Sequence, residues 1–266
     1  MRKVIVGVLL VLALAVVADF TAAAYTEYRV SRALRAGGDL SADPEVTIHG
    51  FPFTVQSWRG DYRNVEIRAR ANHPEIPGEI LVEATLNGVH IPVDDLVGGN
   101  LRAVPVDQVA GRMRIDSLEL GRLLNIPNLS LTGPPADKSD GTGGSGGTGM
   151  TTQGNTYLLT GTIALGPEAR STARVSVKVN LLLDGDQVRV VATDIYRGEE
   201  ADTTTAALNS PDLDKTAVLA RFTRTIDTRD LPFGVHPTKV QALGGDIIVE
   251  GEGEDMTIDM NRFARS

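Results

Sequence analysis

ARVSVKVNLLLDG, residues 173–185, decides the fold class of this chain. Ala173, Val175, Val177, Val179, Leu181 and Leu183 alternate with Arg174, Ser176, Lys178 and Asn180. A period of two gives a strand one apolar and one polar face, whereas a helix repeats its apolar residues at spacings of three and four. Asp184-Gly185 then supplies turn chemistry, and Val188, Val190 and Ala192 carry the alternation back along a returning strand.

The same rhythm extends outward in both directions. Val65, Ile67 and Ala69 alternate with polar neighbours, as do Ile80, Val82, Ala84 and Leu86, after which Asn87-Gly88 predicts a hairpin turn. Towards the C-terminus, Ile247 and Val249 precede Met256, Ile258 and Met260 across a polar stretch at 250–255 that reads as another turn. Several of these strands exceed the usual five or six residues, and a long antiparallel sheet coils and needs cover for its apolar face. Few helices are on offer. Ser210-Pro211 forms an N-cap and N1 pair for a helix to about Arg224, residues 117–124 (SLELGRLL) predict a shorter one, and residues 25–36 run helically to Gly37-Gly38. The expected architecture is mainly β (α+β): a long, strongly curved antiparallel sheet wrapped around one or two helices.

The N-terminus predicts export. Arg2 and Lys3 precede an apolar run over residues 4–18, interrupted by Asp19. Its fifteen residues give about 22 Å of helix, short of a hydrocarbon core of about 30 Å unless residues 20–25 are added. Ala22 and Ala24 offer a small-residue cleavage site, so residues 1–24 read as either a cleaved signal peptide or a retained membrane anchor. In both cases the basic end stays in the cytoplasm and the rest is placed outside.

The remaining composition mostly excludes. A net charge of −8 argues against nucleic acid. With no cysteine there is no disulfide, thiolate metal site or thiol nucleophile. Residues 133–155 (GPPADKSDGTGGSGGTGMTTQGN) have the composition of a disordered Gly-rich surface loop, within one domain spanning 25–266. GGSGG at 143–147 and the GxGxxG spacing of Gly141, Gly143 and Gly146 lack the strand and helix that either motif needs to act. His49, His73, His90 and His236 show no metal-ligand spacing, and Asp94-Asp95 reads as a solvated turn after Pro92. No catalytic residue, metal or cofactor is expected.

One aromatic constellation stands out. HGFPFTVQ at 49–56 is followed by Trp58, Gly60, Tyr62 and the strand from Val65, and LPFGV at 231–235 echoes it ahead of Gly244-Gly245. A plain structural account is two turns whose aromatics plug the ends of a barrel-like core. With GFPFxxQ at 50–56, GVHIPVDDLVGG at 88–99, IDSLEL at 115–120 and LPFGV, the chain resembles the LmeA-type phospholipid-binding family of actinobacterial envelope proteins over nearly its whole length. The Gly-rich stretch at 133–155 is longer than that pattern carries.

The resemblance implies a tubular lipid-binding fold, affinity for anionic phospholipid such as phosphatidylinositol, and support for lipoglycan (lipomannan) maturation outside the plasma membrane. On this view the inner face of the curved sheet lines an apolar groove for acyl chains. Phe51, Phe53, Trp58 and Phe233 are candidate rim or end-plug residues, and Arg59 and Arg63 candidate head-group contacts. Partners would be phospholipid, the membrane and envelope glycosyltransferases. Two alternatives are a scaffold for those glycosyltransferases and a hydrolase using carboxylates such as Asp94, Asp95 or Asp194.

Overall fold

A computed structural model describes residues 1–38, 40, 42–133, 156–165, 171–197, 214–229, 231–260 and 263. The Gly-rich segment beyond residue 133, with its two motif matches, and residues 210–213 lie outside the described residues.

Alternation produces strands wherever it is strict. One antiparallel sheet has six strands in the order β1 (Glu45–His49), β2 (Asp61–Asn72), β3 (Glu79–His90), β4 (Val104–Ile115), β11 (Asp246–Ile258) and β10 (Pro237–Leu243). A second has five, β5 (Ser130–Thr132) through β6 (Thr156–Leu165), β7 (Ser171–Asp184), β8 (Gln187–Ile195) and β9 (Arg224–Asp227). The protein is therefore β-rich, as its sequence predicts, with its strands divided between two sheets. The inward residues of both join one apolar cluster. Val175, Val177, Val179, Leu181, Val188 and Val190 are fully shielded in the second sheet. Burying each such side chain contributes roughly 1.5–3 kcal/mol. These inner faces are filled by side chains, with no water-sized gap beside residues of zero exposure, so the expected acyl groove is closed at these positions.

Two predicted turns are strand instead. Asn87-Gly88 lies within β3, where Asn87 faces Asn64 of β2 and Gln108 of β4. With Asn87 and Val89 paired on both sides the dipeptide does not reverse the chain, and Gly88 takes up its positive φ between them without a register partner. Residues 250–255 likewise continue within β11, with Asp255 alone out of register at a positive φ, and Glu250 meets Arg112 of β4 at 2.6 Å and Lys239 of β10 at 3.4 Å. Cross-strand charge pairs make a polar run a solvated sheet face. The true reversal is Gly244-Gly245, between β10 and β11. The hairpin predicted at Asp184-Gly185 is present with its turn one residue on, at Gly185-Asp186, because Asp184 still pairs with Gln187.

Glycines seat the connections on the sheets. Gly111 and Gly251 are partners on β4 and β11, and the 3₁₀ turn Pro232–Gly234 of the LPFGV block lies over them. A Cβ on Gly111 would stand 2.7 Å from Val235 Cγ2, and one on Gly251 would stand 2.9 Å from Leu231 Cδ1 and against the His236 carbonyl.

The helices are short, apart from the first. α1 (Arg2–Gly38) is unbroken through the expected 25–36 segment. α2 (Phe53–Arg59) and α3 (Val93–Gly98) pack beside it, and Asp94-Asp95 falls in the first turn of α3. α4 (Ser117–Leu124) has its predicted bounds, with the Asp116 carboxylate accepting from the Glu119 N–H at 2.8 Å. α5 (Lys215–Arg221) ends sooner than predicted, since Arg224 already pairs in β9.

Candidate functional site

α1 changes character along its length. Val4, Leu9, Val11 and Leu14 are more than half exposed all round the helix. From Asp19 a buried stripe begins, through Thr26, Val30, Ser31 and Leu34, at the spacing of one helical face. Polar groups on the stripe have partners: the Ser31 hydroxyl donates to the Pro44 carbonyl at 2.6 Å, and the Glu27 carboxylate accepts from the Ile48 N–H at 2.7 Å. The apolar half thus projects, while the following half is part of the folded body.

Asp19 sits at the junction. Its carboxylate accepts hydrogen bonds from the backbone N–H groups of Phe53 and Thr54, each at 2.8 Å, and from the Thr54 hydroxyl at 2.7 Å. It therefore caps α2 from 34 residues away, in place of Pro52, whose side chain supplies no cap. The residue that breaks the apolar run is the one that ties it to the domain.

The GFPFxxQ block builds α2 from the inside. Gln56 is buried, and its amide fills the space where a Cβ on Gly50 would come within 2.7 Å, at a backbone φ of 112°. Its carbonyl oxygen accepts from the Arg63 N–H at 3.1 Å. Phe53 is buried, its ring centroid 6.1 Å from that of Tyr62. Burial pushes the Tyr62 phenol above its ordinary value, against a lowering by the Ser57 hydroxyl. Gly60 closes the helix in the left-handed region, its carbonyl accepting from the Ile91 N–H at 2.8 Å.

The outer face of the block is open. Trp58 is 89% exposed, and Phe51 and Val55 are exposed beside it. The Phe51 ring stacks on Phe20 of α1 with centroids 6.0 Å apart. Phe51, Pro52, Val55, Gln56, Arg59, Asp61 and Arg63 line a notch of about 80 Å³. That is well below the roughly 300–1,000 Å³ of a whole-ligand pocket. Arg59 and Arg63 are exposed and form no ion pair among the described residues, unlike Arg68, Arg112 and Arg122.

The structure thus brings Phe51, Arg59 and Arg63 to one notch, with Trp58 on the same short helix. Phe53 lies on the opposite, buried side of α2. Phe233 does not line this notch; it is half-buried in the turn over β4, edge-on to Phe263 at 5.3 Å. Sequence reasoning missed Phe20 and Val55, whose membership depends on how α1 and α2 pack. It also missed an open concavity of about 570 Å³ along α4, lined by Leu118, Arg122, Asn125, Ile126, Pro127 and Leu129. Its one readable signal is Leu118, an apolar residue left outside on an amphipathic helix.

The carboxylates of the hydrolase alternative are dispersed. Asp194 lies on β8, where a hydrogen bond from Lys215 at 2.8 Å holds its carboxyl below the usual range. Asp95 accepts from the Asn100 side chain at 3.1 Å. No group of three or more His, Asp or Glu residues with metal-site geometry occurs among the described residues.

The profile of the LmeA-like phospholipid-binding family matches residues 17–252. The chain belongs to this family. The match takes in Asp19, the GFPFxxQ block, α4 and the LPFGV turn, so the junction on α1 falls within the family's own boundary. Neither a curated protein nor a solved structure matches the chain.

Proposed function

We propose that this LmeA-like chain is a non-enzymatic phospholipid-binding protein of the cell envelope. It binds anionic phospholipid such as phosphatidylinositol at the outer face of the plasma membrane and supports lipoglycan (lipomannan) maturation by envelope glycosyltransferases. Its single lipid-binding domain follows the N-terminal apolar segment. The family match over residues 17–252 carries the reading. The notch beside α2 supports it: Arg59 and Arg63, without an ion pair among the described residues, line it together with Asp61 and the exposed Phe51.

Arg59 and Arg63 contact the head-group phosphate, for which guanidinium offers planar paired donors. Phe51 and Trp58 lie against the glycerol and upper acyl region, while Phe53 and Phe233 brace the elements behind. The α4 concavity, with Leu118, Ile126 and Leu129 along it, is a second place for an acyl chain, favoured by its volume.

Native mass spectrometry of the full chain in mild detergent, with added phosphatidylinositol or phosphatidylcholine, tests the reading. The expected result is a stoichiometric adduct with the anionic lipid, reduced about tenfold in affinity by Arg59→Glu with Arg63→Glu. An unchanged apo mass in excess lipid would overturn it.

A further inference from the structure

We infer that α1 is kept as a membrane anchor and that the outer face of α2 docks into the interfacial layer of the bilayer that α1 crosses. The partner is the outer-leaflet surface, continuous with the helix that enters it. This goes beyond lipid binding: it fixes where the domain sits, whatever lipid it holds.

Length sets the depth. The apolar residues 4–18 form about 22 Å of helix, and the long Arg2 and Lys3 side chains, reaching outward to the cytoplasmic head groups, extend that span towards a hydrocarbon core of about 30 Å. Asp19 therefore emerges at the level of the head groups, the first depth at which a carboxylate is tolerated. At that level it holds the start of α2 through three hydrogen bonds. Trp58 is five residues further along α2, at most about 8 Å of rise from the capped end. The polar layer on each side of the core is itself about 5–7 Å deep. Trp58 cannot lie far from the interface while the Asp19 contacts hold.

The surface there is suited to that position. Beyond α1, six large apolar side chains are exposed among the described residues, and Phe51, Val55 and Trp58 are three of them, within eight positions. Phe20, on α1 itself, joins them through its stack on Phe51. Tryptophan is the residue type enriched at the membrane interface, and Arg59 and Arg63 on the same edge match anionic head groups. Cleavage after Ala24 would remove Asp19 and leave the Phe53 and Thr54 N–H groups without this cap.

Trp58 is the sole tryptophan of the chain, so intrinsic fluorescence reports on this position alone. The test uses the full chain reconstituted in phosphatidylcholine vesicles brominated near the head-group end of the acyl chains. We expect emission to fall by at least half relative to unbrominated vesicles, with little quenching by aqueous iodide. Asp19→Ala should restore at least half of the lost emission. Should that variant misfold, Val55→Glu, which leaves the cap intact, should do the same. Protein isolated from its native envelope should retain residues 1–24. Iodide quenching without bromolipid quenching would overturn the docking, and an N-terminus at Tyr25 would overturn the anchor. A docked Trp58 with no recoverable lipid adduct would sink the proposed function and leave this inference standing; an adduct with an undocked Trp58 would do the reverse.

Discussion

Replacing Gly251 with alanine should destabilise the protein, whereas the same change two residues further along β11 should not. A Cβ at 251 would press on the His236 carbonyl and stand 2.9 Å from Leu231 Cδ1 and 3.0 Å from the His236 carbonyl carbon. Two of these three atoms are backbone, so relief requires the segment over the sheet to rise by several tenths of an ångström. Overpacking of this kind costs about 1–3 kcal/mol, offset by about 0.4–1 kcal/mol from the smaller entropy of the unfolded alanine chain. The net loss is about 1–2 kcal/mol. At Gly253 the added carbon meets the Met256 thioether, the far end of a flexible side chain, and next a Val235 methyl at 3.5 Å. Met256 can turn aside, which leaves Gly253→Ala neutral or slightly stabilised. The two variants should therefore differ by about 2 kcal/mol, or roughly 4–8 °C in Tm for a domain of this size. Thermal melts of the full chain in detergent, followed by far-ultraviolet circular dichroism, provide the measurement. Equal melting temperatures would show that the LPFGV turn does not rest on β11 as described.

Acid should weaken the six-stranded sheet through Glu250. Burial raises its carboxyl, but the Arg112 hydrogen bond and charge, with Lys239, outweigh this and hold it below its ordinary value of 4.5. Its stabilisation is thus complete above the unfolded value and is lost as pH falls through the lower folded one. Glu250→Gln should flatten the fall in urea-unfolding stability between about pH 5 and 3; an unchanged slope would mean that the pair contributes nothing. Leu159→Ala, at a fully shielded position on β6, should cost about 2–5 kcal/mol in the same assay, and a loss below 1 kcal/mol would contradict the packed inner face.

Strand identity was legible because it depends on local alternation. The β7–β8 hairpin could be read from Asp184-Gly185, since two strands joined by a tight turn are neighbours in sequence and in space. Asn87-Gly88 and residues 250–255 misled for the opposite reason. What holds them extended is Asn64, Gln108, Arg112 and Lys239, on strands whose order in the sheet a local pattern does not carry. The division into two sheets is equally non-local. At the candidate site, the GFPFxxQ block was visible as a concentration of aromatics, but its sides were not. Phe51 and Phe53 look equivalent in sequence, yet one is exposed and the other buried, because Phe51 precedes Pro52 outside α2 whereas Phe53 opens the helix on its inward side. Asp19 was visible only as a misfit, since its partners lie 34 and 35 residues away.

The strand lengths have a consequence for how copies of this protein meet one another. Every sheet that is not closed ends in strands whose outer hydrogen-bonding groups are free to recruit another chain. Here the 12- to 14-residue strands β2, β3, β4, β11 and β7 all lie inside their sheets. The borders fall to β1, β5 and β9, of five, three and four residues, and to β10, of seven, which begins with Pro237. Among the described residues a passing copy meets only brief stretches of open backbone, too short to template a stable intermolecular ladder. Even at high local concentration, such copies can touch repeatedly without zipping together.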